Sequence, residues 1–327
     1  MFASLRILKA VALAVTISVL VASCDLTEHE SANTPITELA FADPVLRKCV
    51  VEEAEREGWQ VAGLMTSLHC SNPRGEQIRD IRGIENLMNL QTLDLAHNQI
   101  VDVTLIDQLH RLRVLDLGYN QISSVPFSRL QVTLESLNLH KNQVRNLDWL
   151  RVMRHLRHLS LSHNNVSDIA AIGELNQLTS LDLASNRISS IEPLRSAREL
   201  HIVDLTDNQV SDLSPLAHHK FLISLSARGN EIHDISTLTD LVGLEELDLS
   251  ENEITDVSPL SSIISLRVID LSDNRILDAS PLEKLGEVDR IRIDGNSIDC
   301  DGEARLRKAW GDDALISGDC NVQQSAR

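Results

Sequence analysis

The chain has 327 residues, 43% hydrophobic but only 2% aromatic, and its 48 Asp and Glu outnumber 30 Lys and Arg for a formal net charge of −18. Such an acidic balance argues against a nucleic-acid partner, because phosphate binding requires a basic patch. So few rings also fit a core of aliphatic layers and not that of a globular enzyme.

Residues 1–23 open with Arg6 and Lys9, run apolar from Ala10 to Ala22 and end in small residues, which is the pattern of an export signal. Removing them takes away two positive charges and no acid, so the mature chain is more acidic still. The stretch Val21, Ala22, Ser23, Cys24 resembles the lipobox of bacterial lipoproteins. That resemblance implies cleavage before Cys24, its acylation and stable anchoring, since several acyl chains hold where one is marginal. An ordinary cleaved signal with an incidental cysteine is the alternative. Asp25 resembles the second-position retention signal of enteric lipoproteins, and the site of anchoring, inner or outer membrane, stays open.

Residues 24–42 are polar enough to serve as a flexible tether with a reach of about 25 Å. Residues 43–67 read as a helical cap, with Asp43 as N-cap, Pro44 in the first turn, apolar Val45, Leu46, Cys49 and Val50, and Gly58 as terminator.

From residue 68 to 298 a 22-residue period takes over. Asparagine recurs at Asn98, Asn120, Asn142, Asn164, Asn186, Asn208, Asn230, Asn252, Asn274 and Asn296 without insertion or deletion. With each repeat numbered from its first leucine (Leu90, Leu112 and so on), positions 4 and 6 are apolar between polar positions 3, 5 and 7, which is strand periodicity. Positions 11, 14 and 17 return apolar residues at three-residue spacing, as in a turn or 3-10 segment, and Pro193, Pro215, Pro259 and Pro281 at position 16 suit such a segment. The asparagine at position 9 both donates and accepts, so it can bridge neighbouring repeats where the chain turns. Before the ten regular repeats a degenerate one is expected, in which Leu68, Ile78, Ile81, Ile84 and Leu87 hold the register and Glu76 stands at the asparagine's place.

The pattern LxxLxLxxNxI is identified as the leucine-rich-repeat signature. Tails such as ISSIEPL (188–194) and ITDVSPL (254–260) resemble the repeats of bacterial internalins and of a phosphatase regulatory subunit. The resemblance implies an α/β solenoid: a curved parallel sheet on the concave face, 3-10 and turn segments on the convex face, and helical caps at both ends. It also implies a concave binding surface.

Two repeats break the pattern. Repeat two has Ser128 at position 17 with Leu130 displaced, so its convex side should bulge; repeat seven has Ala227 at position 6, which should leave a soft spot. Residues 299–327 form the second cap and tail. If Cys24 carries lipid, four cysteines remain; Cys49 with Cys70 and Cys300 with Cys320 are the local pairings, though four cysteines allow two other arrangements.

No catalytic motif emerges: the chain lacks a Gly-rich phosphate loop, HExxH, GxSxG and CxxC. His140 and His163 fall on adjacent strands and can meet, but two ligands make a weak site, so no metal or cofactor is expected and the histidines read as solvated. The concave positions 3, 5, 7 and 8 hold one aromatic, Tyr119. Repeats one to five place Asp94, Asp116 and Asp182 there against Lys141, beside His97, His140, His158 and His163. Repeats six to ten place Asp204, Asp207, Glu246, Asp248, Glu251, Asp270, Asp273 and Asp294 against Arg228, Arg290 and Arg292. Either aspartate is simply the family's usual residue at position 5, or repeats eight and nine dock a cation or basic protein. The expected function is that of a monomeric, non-catalytic envelope lipoprotein that binds a protein or glycan; a structural lipoprotein without a discrete pocket is the alternative.

Overall fold

The computed structural model describes residues 32–310 except Pro73, together with the strand Leu315–Ser317. The export signal, Cys24 and Cys320 therefore lie outside the described residues.

Helix α1 (Pro44–Glu57) starts where Asp43 accepts hydrogen bonds from the N–H groups of Val45 at 2.8 Å and Leu46 at 3.4 Å, and it stops at Gly58 with φ of 75°. The second oxygen of the buried Asp43 carboxylate accepts from the N–H groups of Arg79 (2.8 Å) and Asp80 (3.3 Å), so one side chain starts the helix and ties it to the first repeat. Leu46 and Val50 face the core while Arg47 and Lys48 face water.

The boundary of the tether differs from expectation. Residues 34–42 are packed onto the cap: Ile36 N–H donates to Gln60 O, Ala62 N–H to Thr34 O and Ala42 N–H to Arg82 O. Ile36 and Leu39 are buried, and Phe41 packs beside them, which gives the segment an apolar reason to stay down. It crosses so close above Gly83 (φ 109°) that a Cβ there would lie 2.4 Å from Ala40 O.

Twelve strands of three residues each follow among the described residues: β1 (Ser67–His69), β2 (Thr92–Asp94), β3 (Val114–Asp116), β4 (Ser136–Asn138), β5 (His158–Ser160), β6 (Ser180–Asp182), β7 (Ile202–Asp204), β8 (Ser224–Ser226), β9 (Glu246–Asp248), β10 (Val268–Asp270), β11 (Arg290–Arg292) and β12 (Leu315–Ser317). They form one parallel sheet in sequence order. From β2 to β11 position 3 pairs with position 3, so position 4 always points into the core. Helix α2 (Cys300–Trp310) lies between β11 and β12 and packs on the last convex turn.

The degenerate repeat is longer than the 22-residue period. Leu68 pairs with Leu93, a position 4 residue, not with Leu90, so three extra residues separate it from Ile78. Cys70 then occupies the place of the position 6 leucine, its N–H donating to Asp94 O, and Glu76 is exposed, unlike the ladder asparagines. Cys70 forms a disulfide with Cys49 of α1, with Cα atoms 5.8 Å apart, which ties β1 to the helix. Cys300 is also disulfide-bonded.

Each ladder asparagine acts on two repeats at once. Asn186 Oδ1 accepts from Val166 N–H of the preceding repeat at 2.9 Å, while its Nδ2 donates to Leu161 O of that repeat and to Leu183 O of its own. The same three contacts recur from Asn98 to Asn296. Inside, the layer Leu178, Leu181, Leu183, Ile188, Ile191, Leu194 and Ala197 is at most 1% exposed, and neighbouring repeats stack equivalent layers against both flanks. A repeat cannot bury both flanks alone, which is why the array needs caps.

On the convex side, five-residue 3-10 segments such as Thr104–Gln108 and Ser258–Ser262 begin at position 15. An aspartate at position 13 primes many of them: Asp102 accepts from Thr104 N–H, Asp168 from Ala170, Asp212 from Ser214 and Asp256 from Ser258. In repeat two the segment is displaced to Leu130–Val132, and Asp107 of repeat one accepts from the N–H groups of Ser128 and Arg129, both at 2.7 Å. Ala227 is fully buried.

One histidine is not solvated. His219 sits at position 20, where other repeats place Leu109, Met153 or Leu241, and it is 0% exposed. Its ring nitrogens lie 3.2 Å from Leu216 O and 3.1 Å from Leu194 O, and burial pushes its pKa below the usual imidazole value.

Candidate binding surface

The surface open to a partner is the outer side of the sheet and the turn just beyond each strand, and one backbone feature shapes it. At position 8 the chain is left-handed in every regular repeat: His97, Tyr119, Lys141, His163, Ser185, Asp207, Glu251 and Asp273 have φ between 51° and 56°, and Gly229 and Gly295 complete the series. Left-handed backbone is strained for residues with a Cβ. It turns the position 8 side chains out along one edge, where they form a row.

In repeats one to four that row, joined by position 7, is a run of rings. His97 stacks on Tyr119 with centroids 4.0 Å apart, Tyr119 meets His140 edge-on at 5.0 Å, and His140 meets His163 edge-on at 5.0 Å. Lys141 Nζ lies 4.7 Å from the centre of the Tyr119 ring. His140 Nδ1 is 2.7 Å from Ser162 Oγ, and burial followed by repulsion from His163 lowers its pKa. The structure thus brings together Tyr119, His140 and His163, and adds His97 and Lys141 to them. Among the described residues no group of three or more His, Cys, Asp or Glu is placed to hold a metal ion.

The acidic half divides into two kinds of carboxylate. Asp204, Asp248 and Asp270 at position 5 turn back on their own chain, accepting from the N–H groups of Thr206, Ser250 and Ser272. Asp94, Asp116 and Asp182 do the same in the first half, so this position closes the turn after the strand. Asp94 is half-buried, and that burial raises its pKa, with Asp116 beside it adding to the effect. The others face outward: Glu246 accepts from Ser224 Oγ at 3.1 Å, Glu251 is paired with Arg228, and Asp207 and Asp273 extend over the glycines of the next repeat. Arg292 reaches Asp270 at 3.1 Å. The patch Asp248, Glu251, Asp270 and Asp273 is therefore bracketed by Arg228 on one side and Arg292 on the other.

Sequence reasoning passed over the apolar edge of repeats six to eight. Ile202, Phe221, Val242 and Ile264 are 50%, 55%, 63% and 71% exposed, with Phe221 stacked on His201. Its signal was Phe221 one residue, and Ile264 two residues, before the first leucine of a repeat, where charged or polar residues are commoner.

A curved, capped parallel sheet with an asparagine ladder and 3-10 returns defines a leucine-rich-repeat solenoid. Family models described as "Leucine Rich repeats (2 copies)" match residues 89–129, 176–218 and 220–262, and "Leucine rich repeat" matches 132–188, together more than half of the chain. The chain belongs to the leucine-rich-repeat family. Among solved structures it is similar to an internalin, InlF, from Listeria monocytogenes, at 26% identity and a TM-score of 0.73 over 88% of this chain and 93% of that one. The functional domain of InlJ from the same organism is 23% identical with a TM-score of 0.70, over 88% of this chain and 62% of that one. A plant peptide hormone receptor in complex with RGF2 shares the fold at 17% identity and a TM-score of 0.58, over 77% and 47% of the two chains. No curated protein matches the sequence. The fold points to a protein-interaction role.

Proposed function

We propose that the chain is a non-catalytic binding protein, carried to a bacterial envelope and anchored there through acylated Cys24, that engages a protein through the outer side of its sheet. The observation that supports this reading most is the division of that surface. An exposed run of rings occupies repeats one to four and an arginine-bracketed acidic patch occupies repeats eight and nine. Aromatic side chains supply contact area, and clustered carboxylates speed association with a basic partner. The Cys49–Cys70 disulfide fits an exported chain. Among the described residues no helix is long and apolar enough to cross a membrane.

A specific observation favours the second reading, a structural lipoprotein with no discrete ligand. Several concave carboxylates are already used by the fold, in turns or in ion pairs. In-cell crosslinking followed by mass spectrometry separates the two. Binding predicts one partner whose capture is lost in Tyr119→Ala with His163→Ala, while the structural reading predicts that face variants are silent and only Cys24→Ser has an effect. Labelled palmitate must enter the wild-type protein and not Cys24→Ser; wild-type protein without label would refute the anchor.

A further inference from the structure

The chain carries a basic cavity in spite of its charge of −18. It lies on the edge where the chain enters the strands, at repeats one to four, away from the position 8 row. Its volume is about 420 Å³, and Arg111, Arg113, Arg157, His110, His155 and Glu135 line it. Repeat two contributes an irregular segment to its wall. The 3-10 segment of that repeat is displaced to Leu130–Val132, and Val132, 63% exposed, lines the cavity beside Thr133. The hydroxyl of Thr133, in the cavity wall, is buried without a protein partner.

The ladder fixes the spacing of the charges. Arg113, Glu135 and Arg157 are successive rungs of position 2, since Glu135 N–H donates to Arg113 O and Arg157 N–H to Glu135 O. Two strand spacings put the backbones of the two arginines about 10 Å apart. Arg113 is matched by Glu135, with Nη2 2.7 Å from Oε1. Arg111 and Arg157 have no carboxylate partner among the described residues. Gln91 and Gln177 close the two ends of the cavity with amides that both donate and accept.

We infer that this cavity binds a small organic anion bearing a phosphate or sulfate group. A planar carboxylate matches a single guanidinium fork, whereas a tetrahedral oxyanion presents oxygens to donors that converge from different rungs. The volume lies within the range of small-molecule sites and exceeds what a bare oxyanion fills, and the terminal amides suit hydroxyls on the body of the ligand. The inference stands apart from the proposed docking of a protein on the other edge.

Calorimetric titration of the full-length protein at low ionic strength with glucose 6-phosphate, glucose 6-sulfate and glucose tests it. Both anions should bind saturably and glucose should not. Arg111→Gln combined with Arg157→Gln, both exposed, should weaken binding of the anions at least about tenfold. Arg195→Gln, on the convex side, should leave it unchanged, and an unaltered thermal melt shows that the double variant is folded. The inference is overturned if neither anion saturates, if glucose binds as well as they do, if the double variant binds like wild type, or if Arg195→Gln weakens binding equally.

Discussion

At the scale of single residues, the ladder asparagine couples two repeats through one amide. Asn186→Ala leaves Val166 N–H and Leu161 O without their side-chain partner. It should cost about 1 to 3 kcal/mol, read from urea melts; a loss below about 0.5 kcal/mol would remove the ladder from the account of stability. His219 contributes differently. Its folded pKa is depressed by burial, so its contribution to stability is present above the unfolded value of about 6.5 and is lost as pH falls from there toward the folded pKa. The melting temperature should therefore drop between about pH 7.5 and 5.5, and His219→Leu, which restores the side chain found at Leu241, should flatten that part of the profile. His140, depressed by burial and by His163, adds a slope of the same sign that the variant retains. The asparagine was legible in the sequence because only an amide does that work at a fixed period. The left-handed position 8 was not, because φ is a backbone property; Gly229 and Gly295 were its only trace, and eight other residues at that position concealed it. The position 13 aspartates were equally easy to pass over as surface charge, although each closes a turn.

At the scale of elements, the first cap shows what periodicity cannot give. Asp43, Pro44 and Gly58 marked α1 from local chemistry, and the helix runs between them. The place of Leu68 depends on a bond between distant residues, and the sequence around it fits the 22-residue period well enough to mislead. The three extra residues lie just beyond Cys70, whose link to Cys49 ties β1 to α1. Removing that link should release loop entropy in the unfolded chain worth about 3 kcal/mol in the chain-entropy model. In a stacked array the loss falls first on nearest neighbours. Cys49→Ser with Cys70→Ser should thus speed amide hydrogen exchange in α1, β1 and β2 while leaving β6 to β10 protected. Uniform loss of protection along the array would show that the cap is not a separable unit.

At the scale of the whole molecule, stacking identical repeats brings like side chains side by side, and charge then accumulates along a row. Asp248 pairs with Asp270 across adjacent strands, and Glu251 and Asp273 follow each other at position 8. Arg228 offsets Glu251 and Arg292 offsets Asp270, which leaves Asp248 and Asp273 as the uncompensated members. Directly opposed like charges each cost a few tenths to about 1 kcal/mol, and salt screens them over about 10 Å at 0.1 M. If the patch exists to meet a basic partner, neutralising it should help the free protein and harm the complex. Asp248→Asn with Asp273→Asn keeps hydrogen-bonding groups, and asparagine tolerates the left-handed backbone at 273. The double variant should be more stable than wild type by about 0.5 kcal/mol at low salt, and the gain should vanish near 0.5 M salt. Capture of the crosslinked partner should fall in the same variant, with slower association and a weaker dependence on salt. A stability gain without any loss of capture would make the carboxylates a by-product of repetition and move docking to the rings of repeats one to four. Loss of capture without a stability gain would mean that the patch carries no strain in the free protein and recognises its partner by charge.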